Sequence, residues 1–280
     1  MDMMTKRCDD PAGVMEHAGR YDGARALIVL GGPSGRHWKE LRDRLQPDVI
    51  LGANGTCFEI PDLDYHMVVE NMHMSAKRAA QGEERYRQMM GILSGDHQAK
   101  VRLVSYLSWD LLDEQIDNAI RIRRLGELGS DYDAQMTGFN FRDYGEGYLA
   151  GPLFTHPGAL TSSRIQFRIG TVATQLIHHA GILGVSDVHT IGMDFCNYAH
   201  WYKYPDYQPD KFRTGAMFTE YAGLPTQWDW VKGAVWLQSL QWAFDRDGLE
   251  WVDHSDGLFK AMRLFCATST STILRDAGAL

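Results

Sequence analysis

Five consecutive apolar residues, Ala26 to Leu30, run straight into Gly31-Gly32-Pro33-Ser34-Gly35. An unbroken apolar run of this length suits a strand covered on both faces, as in the middle of a parallel sheet. The glycines allow a sharp turn and a close approach to a ligand, Pro33 suits a first helical turn, and Ser34 offers a hydroxyl. A helix starting there aims its opening N–H groups past the strand's carboxyl end, where a phosphate is the natural occupant. The second strand, Asp48 to Leu51, ends in Gly52-Ala53-Asn54-Gly55-Thr56. Two neighbouring strand ends thus carry small polar turns, and open α/β sheets take their ligands at such places.

Further strands are expected at Tyr65 to Glu70, Val101 to Leu107, Asp187 to Ile191 and Leu249 to Val252. Helices are expected over Ser75 to Ile92, exposed and capped by Ser75, and over Leu111 to Leu125, with Leu112, Ile116, Ala119 and Ile120 as its apolar positions. Three more are expected: one from Gly170-Thr171 to Gly184, one over Pro225 to Phe244, and one near Leu258 to Phe265. The sum is an α/β fold with a Rossmann-like open, mainly parallel sheet and helices on both faces. Residues 1–23 read as an N-terminal arm and residues 24–280 as a single domain.

The Asp187 to Ile191 strand ends in Gly192-Met193-Asp194-Phe195, which places a carboxylate at a strand's carboxyl end. Asp194 is there either for chemistry or as a local cap. The segment that follows, Asn197 to Asp210, carries five Tyr or Trp side chains and two prolines, so residues 195–225 read as an aromatic lid over a ligand. His200 lies within it, and a histidine there suits a general base for an acceptor hydroxyl, the alternative being an ordinary surface histidine.

A net charge of −8 argues against a nucleic-acid binder but leaves room for a small anion held by backbone N–H groups. No apolar run approaches the roughly 20 residues a bilayer span needs. The polar N-terminus lacks a signal-peptide core, so the expected location is the cytoplasm. Cys8, Cys57, Cys196 and Cys266 form no C-x-x-C pair and read as reduced thiols, with no metal ligands assigned. Of the adjacent His178 and His179 one is expected to face the core and the other solvent, while His66 and His73 read as isolated.

Two segments together, GGPSG after the first strand and GTVATQLIHHAGILGVSDVHTIGMDF later, resemble the 6-hydroxymethylpterin diphosphokinase-like family, which is related in fold to the family-42 bacterial sialyltransferases. The resemblance implies a nucleotide site. Gly31, Gly32 and Ser34 would line the phosphates, Asn54 with Gly55 and Thr56 the pyrophosphate or transferred group, and Gly170 with Thr171 the opposite wall. Asp194, Tyr198 and Tyr202 would flank the leaving phosphate or ribose. The chain departs from the sialyltransferases at Gly31, where they carry Asn, at Cys196, where they carry a phosphate-binding Tyr, and in lacking a histidine between Phe212 and Trp230. It departs from the pterin kinases in having only Glu70 as an acid after the third strand.

The expected activity is therefore glycosyl transfer from a nucleotide-activated sugar, such as a CMP-linked one, to the hydroxyl of a small-molecule or glycan acceptor. Helix termini, Tyr202, Arg36 and Arg168 would supply positive potential, with no cofactor required. An ATP-dependent pyrophosphokinase, which would need magnesium (Mg2+), is the second expectation, and an inactive nucleotide- or sugar-binding protein the third. Homo-oligomerisation is left open by the sequence.

Overall fold

The computed structural model describes residues 16–68, 72–122, 172–193, 244–245 and 247–255. These form β1 (Arg25–Val29), α1 (Trp38–Leu45), β2 (Val49–Ala53), β3 (Tyr65–Val68), α2 (His73–Ala80), α3 (Glu84–Ser94), β4 (Val101–Ser105), β5 (Ala119–Ile122), α4 (Val172–Ile182), β6 (Asp187–Ile191) and β7 (Glu250–Asp253). The seven strands make one sheet in the order β5-β4-β3-β2-β1-β6-β7, and every neighbouring pair is parallel. The α/β class expected from the sequence is therefore present. Among the described residues no helix is long and apolar enough to cross a membrane.

Alternation along the strands divides the core in two. Ala26, Ile28, Leu51, Tyr65, Met67, Leu103 and Ile120 pack with Leu176, Ile177 and Ala180 of α4. Leu27, Val29, Ile50, Val68 and Val104 face the other way, onto Trp38 and Leu41 of α1 and Ile92 and Leu93 of α3. Helices therefore cover both faces of the sheet, which is why the central strands read as unbroken apolar runs. Residues 16–23, part of the expected arm, lie against the end of α4: the N–H groups of Gly19, Tyr21 and Gly23 donate to the carbonyls of Ile182, Leu183 and Gly184.

Two expected helices differ from the structure. The Ser75 to Ile92 segment is two helices, broken at Gly82, whose φ of +92° lies in the left-handed region. Ser75 sits inside α2 and is buried rather than capping it. The segment is not simply exposed either, since Ile92 and Leu93 are core residues. Instead of a helix over Leu111 to Leu125, a 3-10 turn at Tyr106–Leu111 leads into strand β5. Asn118 fixes this outcome from a distance, its side-chain amide donating to the carbonyls of Ala99 and Lys100 at 3.1 and 2.6 Å. Both His178 and His179 are buried, because α4 is covered all round rather than on one face. The expected lid, the Pro225 to Phe244 helix ahead of Phe244 and the C-terminal helix lie outside the described residues.

Candidate functional site

The strand order contains one reversal. The chain steps outward from β1 through β2, β3, β4 and β5, then returns to place β6 on the other flank of β1. In open parallel sheets the crevice at such a reversal, outside the carboxyl ends of the strands, is where ligands bind. The first glycine turn and the Gly192 strand end read from the sequence lie there. Gly31 to Gly35 follow β1 as a 3-10 turn over Pro33–His37 that leads into α1, and Gly192 follows β6.

The two turns are joined to each other across 158 residues of chain. The Gly192 N–H donates to Ser34 Oγ at 3.0 Å, the Gly32 N–H to the Gly192 carbonyl at 2.9 Å, and the Leu30 N–H to the Ile191 carbonyl at 2.9 Å. Glycine is required at 192, where φ is +85° and a Cβ would press into the Leu30 carbonyl. Ser34 is buried, so its hydroxyl holds the turn together. On its far side the Met193 N–H donates to Ser255 Oγ at 2.7 Å, and Ser255 Oγ in turn donates to Asp253 Oδ1 at 2.8 Å. Thr190 Oγ1 donates to the same carboxylate oxygen at 2.8 Å while accepting from Trp251 Nε1 at 3.1 Å. The ends of β1, β6 and β7 are thus tied together as one floor.

Beside this floor, β2 ends in a second 3-10 turn, Asn54–Phe58. Asn54 takes a left-handed φ of +50°, a conformation Asn tolerates better than most residues. Its carbonyl accepts from His66 Nε2 at 2.7 Å and from Cys57 Sγ at 3.2 Å. The side-chain amide is half-exposed and bonds to no described residue. Thr56 is fully buried and its hydroxyl donates to the Ala53 carbonyl at 2.8 Å, so it shapes the turn, as does Gly55. The polar turns of β1 and β2 therefore share one edge of the sheet, since the strands are parallel neighbours.

Under this turn lies a cluster that sequence reading missed. Cys57, His66 and His97 are all buried, and one ligating atom from each lies within 4.8 Å of the others. His66 is not isolated: its ring meets that of His97 edge to face at 4.7 Å. Burial, then the neighbouring His97, holds His66 down to about 3. Burial and then Arg102 hold His97 at about 4, and burial pushes the Cys57 thiol up to about 12. On β6, His189 Nδ1 meets His254 Nε2 at 2.8 Å, and His189 Nε2 lies 2.9 Å from Asp187 Oδ1 without hydrogen-bond geometry.

Of the other expected site residues, Gly170, Thr171, Asp194, Tyr198, His200 and Tyr202 lie outside the described residues, as do Glu70 and Arg168. Compared with known protein families, with curated proteins and with solved structures, the chain shows no match.

Proposed function

We propose that the chain is a Rossmann-like transferase that receives a nucleotide-activated sugar, of which a CMP-sugar is one form, at the carboxyl edge of β2, β1 and β6. The observation that carries this reading is the joining of the Gly31 to Gly35 turn to Gly192 at the reversal of strand order, beside the available amide of Asn54. Donor phosphates meet the Asn54 amide and the opening N–H groups of its 3-10 turn, which have no intrahelical partners. Ser34 and Thr56 contribute by holding those turns in place. Such a site works by positioning the donor and stabilising charge on the departing phosphate, with little covalent demand on the protein. His200 is the proposed base, Asp194 a proposed catalytic carboxylate, and Gly170, Thr171, Tyr198 and Tyr202 are proposed nucleotide contacts.

A thermal-shift panel of CMP, UDP, GDP and ADP tests the reading. At a hundredfold excess over Kd the cognate nucleotide stabilises by about 2.7 kcal/mol, which raises the Tm by roughly 5–10 °C for a chain of this size. Asn54→Gly keeps the left-handed backbone while removing the amide, so it retains the free-protein Tm and loses the nucleotide shift. Flat melts with every nucleotide refute the proposal, and magnesium-dependent release of AMP from ATP would replace it with the pyrophosphokinase reading.

A further inference from the structure

The Cys57, His66 and His97 cluster lies beneath the Asn54 turn, two of its members bonded to the Asn54 carbonyl, and its chemistry can be read from the hydrogen bonds around it. Backbone carbonyls only accept, so the contact of His66 Nε2 with the Asn54 carbonyl at 2.7 Å fixes the proton on Nε2. His97 Nε2 likewise faces the Ile92 carbonyl at 3.2 Å. A second proton on either ring would put a buried cation beside the Arg102 guanidinium, so each ring keeps a lone pair on Nδ1. Among the described residues the Nδ1 of His66 is buried without a hydrogen-bond partner, and that of His97 receives only a long contact from the Ala99 N–H at 3.4 Å. An imidazole whose far N–H is held by a backbone carbonyl is in the state that metal ligands adopt. Bonds of about 2.0–2.3 Å put the donor atoms of a trigonal site roughly 3.5–4 Å apart. In the structure one potential ligand atom from each of the three side chains lies within 4.8 Å of the others, close to that spacing.

The charge of the surroundings decides which ion fits. Arg102 stands directly opposite His66 in the β3 and β4 register and is 7% exposed. It donates to the Asn118 side chain and to the His97 carbonyl at 2.6 Å, and among the described residues it has no carboxylate partner. A divalent ion would therefore add positive charge beside a buried guanidinium that no described carboxylate neutralises. A monovalent ion replacing the thiol proton adds none, and a thiolate with two imidazoles is a donor set soft enough for copper in its lower oxidation state.

We propose that Cys57, His66 and His97 form a three-coordinate site for Cu(I), the ion taking the place of the Cys57 thiol proton. The exchange balances without electron transfer: the S–H bond breaks, an S–Cu bond forms, the proton passes to solvent, and the formal charge of the cluster stays that of Arg102. The Asn54 carbonyl keeps its bond from His66 and gives up the one from Cys57.

Anaerobic titration of the full chain with Cu(I) against a chromophoric Cu(I) chelator tests this. One equivalent is expected to be captured by the wild type and by the Cys8→Ser, Cys196→Ser, Cys266→Ser triple variant, with affinity at least a hundredfold lower in Cys57→Ser. X-ray absorption on the wild-type complex, which needs no variant to fold, is expected to show one sulfur and two imidazole nitrogens around copper. Absence of capture, loss of capture in the triple variant only, or a copper shell of two or more sulfurs overturns the proposal. Stoichiometric retention of Zn(II) by Cys57 after desalting overturns the charge argument and with it the assignment to a monovalent ion.

Discussion

Lowering the pH from 8 to 5 should remove about 4 kcal/mol of folding stability through two histidines alone. His66 and His179 are both fully enclosed, and burial is the first cause holding each near 3 in the folded chain, with His97 next for His66 and His17 next for His179. In the unfolded chain a histidine titrates near 6.5. Between those values the unfolded state binds protons that the folded state refuses, so stability falls as pH drops through about 6.5 and goes on falling towards about 3. At pH 5 the cost is about 2 kcal/mol per histidine. The share of His179 can be isolated. Its ring packs edge to face on Tyr65 at 5.0 Å, and among the described residues its buried Nε2 has no partner. His179→Phe keeps the ring contact and removes the titrating group, so stability at pH 8 should change by less than about 1 kcal/mol. The slope of unfolding free energy between pH 6 and 4.5 should fall by about 1.4 kcal/mol per pH unit. Urea unfolding followed by circular dichroism at pH 8, 6, 5 and 4.5 measures both. Parallel losses in wild type and variant would show that His179 is protonated without unfolding, and the reasoning would be wrong.

Three further outcomes follow from particular contacts. Gly192→Ala should cost at least about 3 kcal/mol, since it combines left-handed strain with a clash against the Leu30 carbonyl. Gly248→Ala, with a similar φ of +72° and nothing within 4 Å, should cost only about 1 kcal/mol, and equal losses in chemical denaturation would refute the close-packing argument. Asp64 accepts from the buried Ile50 N–H at 2.8 Å and from Lys100 Nζ at 2.6 Å. Asp64→Ala strands that N–H and should cost about 2–3 kcal/mol, whereas Asp64→Asn gives up chiefly a part-buried ion pair to the exposed Lys100, worth about 1 kcal/mol. Ser34→Ala should lower the Tm of the free protein by several degrees through the loss of its bond to Gly192. Any nucleotide shift should survive in that variant, and its disappearance would return the Ser34 hydroxyl to direct ligand contact.

The strands that could be read from the sequence are those whose burial is written into one short window. Ala26 to Leu30 is an apolar run and Asp187 to Ile191 a short β-branched stretch, each stopped by glycine, and both appear within a residue of where they were expected. Ala119 to Ile122 was unreadable for a physical reason. Its buried Ala119, Ile120 and Ile122, with Leu112 and Ile116 before them, fit helical spacing as well as strand alternation, and the deciding bonds come from Asn118 to a neighbouring strand. Gly82 left no local sign that it would take a left-handed turn rather than sit inside a helix. At the site, the glycine turns and Asn54 could be read because strand ends carry their own signature. Cys57, His66 and His97 could not, because their spacing follows no motif and only the pairing of β3 with β4 and the fold of the β2 turn bring them together.

The placement of β6 has a consequence for how the chain is made. Strand β1 emerges from the ribosome early and finds β2 soon afterwards, but its other flank waits for Asp187, which pairs with Arg25 across 162 residues. At ordinary translation speeds of 5–20 residues per second that wait is on the order of 10 to 30 s. Throughout it, what will become the middle of the finished sheet is a bare, apolar margin with unpaired amides, open to any other nascent strand. Slowing elongation between the two halves should lower the yield of soluble protein, and supplying the later half promptly should restore it.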